Sequence, residues 1–327
     1  MAVLEFGQAL GLRAGARRPG VHKLSDIHMR DPFLFADHRR RLYFLFGTGM
    51  GICDGAANVD PYFEVYVSGD RKNFEGPYVA FAPEKGFWGV KHYWAPEVHA
   101  YRGAYYMFAS FKGGIGEDRG TAILRADLPE GPYRPWSDGH VTLRGHECLD
   151  GTLLVQDGQP WIAFCHEWTE MYFGTIKAHR LRADLTGACG EEPVVIVDTQ
   201  HDDIPWLRRM EDPRVEKTGY LTDAPFFHRM KNGTLAMLWS SYSVKGYGGT
   251  GSGGYVVAVC ESPSGRIEGP WRHERALLLD ENKGHASLFR DFDGTLWLIS
   301  HANDTLHGSE YPVIDAVEEE EHLRIRR

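Results

Sequence analysis

The stretch that decides the reading runs His146-Glu147-Cys148-Leu149-Asp150-Gly151-Thr152-Leu153-Leu154-Val155-Gln156-Asp157-Gly158-Gln159-Pro160-Trp161-Ile162-Ala163-Phe164-Cys165-His166-Glu167-Trp168. Two apolar runs, Leu153 to Val155 and Trp161 to Phe164, flank Asp157-Gly158. Asp-Gly between apolar runs is a strong signal for a two-residue hairpin turn. With those two residues as the loop, Gln156 faces Gln159 and Asp150 faces Cys165. Glu167 lies two residues past that partner, on the face of Asp150, because strand side chains alternate with period two. A diagonal cross-strand pair of this kind is roughly 7–8 Å apart. For the hairpin alone, strand-end carboxylates in contact with water are an equally good reading, so the rest of the chain has to decide.

Working outward, the same unit recurs five times, as a polar anchor, a short apolar strand, a turn and a second strand rich in aromatics. The first is Arg30-Asp31-Pro32-Phe33-Leu34-Phe35, a turn at Asp37 to Arg41, then Leu42 to Phe46. The second is Trp94-Ala95-Pro96-Glu97-Val98, a turn at Arg102-Gly103, then Tyr105 to Phe108. The third is the hairpin above. The fourth is Thr222-Asp223-Ala224-Pro225-Phe226-Phe227, a turn at Asn232-Gly233, then Leu235 to Trp239. The fifth is Gly284-His285-Ala286-Ser287-Leu288-Phe289, a turn at Asp293-Gly294, then Leu296 to Ile299. A third strand follows in most units, at Phe63 to Val67, Ala122 to Arg125, Thr175 to Leu181 and Tyr255 to Cys260. Three units then carry Glu-Gly-Pro and an aromatic, beginning at Glu75, Glu130 and Glu268. Helical periodicity is confined to Val3 to Leu12 and the acidic run Ala316 to His322.

Composition agrees with many short strands and tight turns. The 327 residues include 38 Gly and 17 Pro, and 13% are aromatic. A net charge of −9 argues against nucleic acid or an anionic membrane as partner and leaves a neutral polymer such as a polysaccharide open. Five cysteines without Cys-x-x-Cys spacing suit reduced, mostly buried thiols. Met1 to Gly20 lacks the pattern of a secretory leader, and no apolar run is long enough to span a membrane. As written the chain is expected in the cytoplasm, or outside the cell had a leader been removed.

Units this small cannot bury their own faces, so they are expected to stack radially as an all-β, five-bladed β-propeller. Residues 1–25 form an N-terminal extension and 26–327 a single propeller domain. The first strand of each blade lines the axis. Asp31, Glu97, Asp150, Asp223 and His285, spaced by 66, 53, 73 and 62 residues, therefore converge on one funnel. A scaffold propeller does not need four carboxylates there, since like charges at close range repel.

At these anchors, from about Asp26 to Asp304, the chain resembles glycoside hydrolase family 43, the five-bladed arabinofuranosidases, xylosidases and arabinanases. Asp31-Pro32 matches the family's Asp-Pro, which carries the general base. Trp94-Ala95-Pro96-Glu97 matches its Trp-Ala-Pro-acid motif, with Glu in place of the usual Asp. Asp150 matches the Asp that tunes and orients the acid, and Gly284-His285 matches a Gly-His whose His holds a central water or calcium. The departure is in the fourth blade, where the family's general acid is a Glu before Gly-Pro or Ala-Pro. Here Asp223-Ala224-Pro225 stands in its place, one methylene shorter, and catalytic geometry is sensitive to about 1 Å. Either Asp223 donates the proton or Glu167 substitutes for it. The literal Glu-Gly-Pro triplets follow third strands and are expected on the outer rim.

The resemblance implies an inverting glycoside hydrolase with catalytic Asp31, Asp150 and either Asp223 or Glu167, a substrate site at Glu97 and His285, no required cofactor, and a water or structural calcium near His285. The carboxyl spacing read from the hairpin falls within the ~6.5–9.5 Å of inverting enzymes. Trp94, Phe111 and Trp168 are candidate platforms for a sugar ring. Insertions at Thr48 to Pro61, Gly113 to Gly120 and Lys245 to Gly254 suggest a pocket, hence exo action releasing arabinofuranose, xylose or galactofuranose from an oligosaccharide or polysaccharide. The alternatives are a non-catalytic carbohydrate-binding propeller, a retaining carbohydrate enzyme on the same fold, and a protein-interaction scaffold with an apolar top face.

Overall fold

In the computed structural model, residues 5–49, 61–212, 217–247, 253–305 and 309–326 are described. Among the described residues, five antiparallel sheets of four or more strands follow one another along the chain, with a two-stranded sheet, Met210–Asp212 and Lys217–Gly219, between the third and fourth. Blade I is Met29–Asp37, Leu42–Gly49, Phe63–Ser68 and Asn73–Phe81, and blade II is Lys91–Tyr101, Ala104–Lys112, Arg119–Ala126 and Arg134–His140. Blade III is Cys148–Gln156, Gln159–His166, Thr175–Arg180 and Val194–Asp198. Blade IV is Asp223–Arg229, Leu235–Tyr242, Tyr255–Ser262 and Arg272–His273, and blade V is Lys283–Arg290, Leu296–Ala302, Tyr311–Glu319 and Leu323–Ile325. The five-bladed propeller is therefore the fold. The N-terminal extension is joined to it, because Gly20–Lys23 adds a fifth strand to the outer edge of blade I and the short helix Glu5–Ala9 bonds through its N–H groups to Glu75. The acidic run Ala316 to His322 is not a helix. Residues 316–319 end the third strand of blade V, where Val317 points into the core and tertiary packing overrides a weak helical pattern, and 320–322 turn into the last strand.

Apolar faces of adjacent blades pack against each other. Phe46, Phe63, Phe81, Tyr93 and Phe111 fill the space between blades I and II, and Trp206, Trp239, Cys260 and Ile267 lie in the cluster of blades III and IV. Cys148, Cys165 and Cys260 are buried and free, Cys189 is exposed and free, and Cys53 lies outside the described residues. The Glu-Gly-Pro glutamates lie toward the outer strands, where Glu75 holds the N-terminal helix and the other two join blade to blade. Glu130 of blade II takes both guanidinium nitrogens of Arg40 from blade I at 2.7 Å, and Glu268 of blade IV accepts from Gln156 of blade III at 3.0 Å. The ring closes without strand exchange. Blade V meets blade I through Tyr43 stacked on Phe292, the Arg71–Asp291 pair at 2.7 Å and Arg30 against Asp304 and Glu310.

One backbone device repeats at the axis. Each inner strand shifts register between Arg30 and Phe33, Trp94 and Glu97, Leu149 and Thr152, Asp223 and Phe226, or Gly284 and Ser287. At each shift one non-glycine residue takes a left-handed φ of 47–55°, namely Asp31, Ala95, Asp150, Ala224 and His285. The bulge turns these residues toward the funnel. Each bulge N–H then donates to the preceding blade: Asp31 to His301 Nδ1, Ala95 to Thr48 Oγ1, Asp150 to Ser110 Oγ, Ala224 to Asp150 Oδ2 and His285 to Ser240 Oγ. This ring of five hydrogen bonds offsets local backbone strain and sets the blades' mutual position.

Candidate active site

The bulges account for both the convergence and the one register error in the sequence reading. Leu149, not Asp150, faces Cys165, because the extra residue at Asp150-Gly151 breaks the regular pairing. Asp150 is thereby released from its strand partner and turned to the axis. Its Oδ2 accepts from Ala224 N–H at 3.0 Å and lies 3.8 Å from His285 Nδ1. Asp31 sits 3.1 Å from the same Nδ1 and accepts from Thr48 Oγ1 at 2.6 Å. Asp223 accepts from the Tyr255 hydroxyl at 2.9 Å. Glu97 is buried and held by His99 at 3.0 Å, within electrostatic reach of Asp150.

These neighbours drive the carboxyls apart in protonation. Burial pushes the Asp31 carboxyl up, but the charge and hydrogen bond of His285, with Arg30 behind, hold it well below the usual carboxylate range. Burial also lowers His285, yet Asp31 and Asp150 raise it to about 9, so it is a cation at neutral pH. Asp150 is raised to about 6 by burial, with His285 opposing and Asp31 adding. Asp223 is raised furthest, by burial first and then by the charge of Asp150.

Several predicted site residues take other roles. Glu167 forms an ion pair with Arg119 at 2.8 Å and leads into the short helix Trp168–Met171. Phe111 is fully buried between blades I and II, so it is a core residue and not a sugar platform. Trp168 is 6% exposed and offers no open ring face. Trp94 is part-exposed, stacked on His92 at 4.3 Å and under the Arg119 guanidinium at 4.8 Å. His146 and His166 both meet Glu170, at 2.9 and 3.1 Å. The insertions at 50–60 and 248–252 lie outside the described residues.

Around His285 the neighbouring oxygens face a protonated ring, whereas calcium needs six to eight oxygen ligands. Among the described residues, the groups of three ligating side chains within 4.8 Å are His146, His166, Glu170 and Glu261, Glu274, His322, neither of them on the axis.

Sequence reasoning overlooked Tyr255, His301, Arg119 and Thr48. Aligning the second strands of the repeats would have found two of them. Thr48, Ser110, Ser240 and His301 face Arg30, Trp94, Asp223 and Gly284 at the equivalent position, and the equivalent in blade III is Cys165.

A propeller whose axis gathers one ionised and one protonated carboxyl around a cationic histidine has the equipment of a glycosidase. Residues 24–317 match the family model of glycosyl hydrolases family 43. An endo-arabinase structure from Bacteroides thetaiotaomicron VPI-5482 is 34% identical, covers 91% of this chain and 97% of its own, and superposes with a TM-score of 0.79. An endo-1,4-beta-xylanase from the same organism is 20% identical over 94% of this chain and 97% of its own, with a TM-score of 0.69. An alpha-L-arabinofuranosidase from Lactobacillus brevis is 12% identical over 93% and 97%, with a TM-score of 0.67, and these two share the fold. The chain belongs to glycoside hydrolase family 43 and is a glycoside hydrolase of that family.

Proposed function

We propose that this enzyme hydrolyses arabinofuranosyl or closely related linkages with inversion, using Asp31 as general base and Asp223 as general acid. The observation that carries the reading is that two axial carboxyls sit in opposed surroundings, Asp31 against His285 and Asp223 buried under the Tyr255 hydroxyl. Asp31 is kept ionised by the His285 cation at 3.1 Å, and Asp223 is kept protonated by burial and the charge of Asp150. Asp31 takes a proton from a water on one face of the sugar, and Asp223 gives a proton to the leaving oxygen on the other. Asp150 tunes Asp223 by its charge and positions it by holding Ala224 N–H, the next residue along. Glu167 is a weaker candidate for the acid, because its carboxylate is engaged by Arg119 at 2.8 Å. It fits better as part of the rim around Trp94.

The sugar is supported by the 34% identical endo-arabinase. Much of two of the three rim insertions that favour exo action, 50–60 and 248–252, lies outside the described residues, so product size decides between terminal and internal cleavage. The test is hydrolysis of linear arabinan and of aryl α-L-arabinofuranoside, β-D-xyloside and β-D-galactofuranoside by wild type and Asp31→Ala, with the first-formed anomer read by NMR. Turnover of an arabinofuranosyl substrate with inversion, abolished by Asp31→Ala, supports the reading. Retention contradicts the mechanism, and sugar binding without turnover favours a carbohydrate-binding propeller.

A further inference from the structure

We propose that Tyr255 and His301 form a positioning pair that couples the acid Asp223 to the base Asp31, a role that rests on the assignment of those two carboxyls above. Tyr255 opens the third strand of blade IV and is 1% exposed. Its hydroxyl donates to Asp223 Oδ2 at 2.9 Å, which leaves Oδ1 to carry the transferable proton. Its ring stacks on His301 at 5.4 Å with an interplanar angle of 12°. His301 in turn accepts the Asp31 backbone N–H on Nδ1 at 3.2 Å. The imidazole proton is therefore on Nε2, which faces Asp304 Oδ1 at 3.4 Å. Asp304 is itself held by Arg30 at 2.7 Å. One chain of contacts thus runs from the acid on blade IV, through two buried rings, to the backbone of the base on blade I.

Two observations show that the seat is built for this pair. In the ring of bulge contacts, blades I, II and IV use a small hydroxyl, Thr48, Ser110 or Ser240. Blade V alone places a histidine there, and the larger ring is what reaches Tyr255. The glycine of Gly284-His285 makes the room, since a Cβ at 284 would lie 2.0 Å from Tyr255 Cδ1. The tyrosine backbone is fixed as well, because its N–H donates to Asn282 Oδ1 at 3.1 Å and the Asn282 amide donates to Asp304 O at 3.1 Å.

The charged and titratable groups facing Asp223 are Asp150, His285, Glu167, Tyr255, Cys165 and Tyr242, and those facing Tyr255 are Asp223, Asp304, Asp31, Arg30, His301 and Tyr242. Burial, with the acidic groups of Asp223, Asp304 and Asp31 around it, keeps the tyrosine protonated, so it remains a donor throughout the working pH range. A donor to Asp223 favours its ionised form and sets the upper limit of its acidity.

The test uses the full-length enzyme with Tyr255→Phe, and separately with 3-fluorotyrosine at position 255, which keeps the ring and strengthens the donor. For Tyr255→Phe, the alkaline limb of kcat/KM is expected to move up by about one pH unit. Its kcat should fall about tenfold or more on the natural glycan and stay within ~3-fold on an activated aryl glycoside, with KM unchanged. Fluorotyrosine should move the limb down. If the phenylalanine variant does not fold, the fluorotyrosine arm decides. Unmoved limbs, or equal losses on both substrates, reduce the pair to packing and overturn the proposal. Failure of the underlying assignment reads differently, because Asp223→Asn would then keep its activity on the natural glycan.

Discussion

Asp31 and His285 meet at 3.1 Å across the seam where the last blade closes on the first. The pair joins ring closure to chemistry, because the cation that most offsets the burial of the base comes from blade V. Replacing His285 by Gln removes the cation that, against burial, holds Asp31 low. We predict an acidic limb of kcat/KM displaced to higher pH and activity at neutral pH reduced about 100-fold, measured by pH-rate profiles.

The same pair predicts how stability varies with pH. His285 is raised from 6.5 to about 9, so its contribution is fully present below pH 6.5 and is lost as pH rises through 9. The thermal midpoint of wild type should fall across that window by several degrees, and the fall should be shallower in His285→Gln. Differential scanning fluorimetry from pH 6 to 9.5 measures both slopes.

Asp150→Asn keeps an acceptor for Ala224 N–H but removes the charge that, after burial, does most to keep Asp223 protonated. The acid should then ionise at lower pH. We predict an alkaline limb shifted down by about one unit and a kcat loss of about 100-fold at neutral pH. A limb that stays in place would show that burial alone sets Asp223.

Away from the axis, Arg40 neutralises the fully buried Glu130 of the next blade with two hydrogen bonds of 2.7 Å. Arg40→Ala leaves that charge buried and unpaired, a loss of about 3 kcal/mol, at the low end for buried pairs because the arginine side is partly solvated. Urea unfolding should show the lower midpoint, while the folded fraction keeps normal kcat.

The architecture was legible because apolar strands, Asp-Gly and Asn-Gly turns and repeated anchors are local signals. The Asp157-Gly158 turn placed Gln156 opposite Gln159 as expected. What escaped was non-local. Gly151 inside the strand is the one local hint of a bulge, and strand alternation read without it pairs Asp150 with Cys165. Phe111 looks like any aromatic near an anchor, and only the packing of blade I on blade II makes it core. Glu167 was placed beside Asp150 by strand alternation, but Arg119, 48 residues earlier, determines its ion pairing. Tyr255 and His301 carry no motif, and their roles exist only after blades IV, V and I have come together.

The most direct measurement compares Asp223→Asn with Glu167→Gln on the natural glycan and on an aryl glycoside whose leaving group needs no acid. The account predicts that Asp223→Asn loses natural-glycan activity by about 10³-fold while keeping most of its activity on the aryl substrate, and that Glu167→Gln changes both alike by less than about tenfold. The reverse pattern, with Glu167→Gln losing only the natural glycan, would make Glu167 the acid and contradict the assignment.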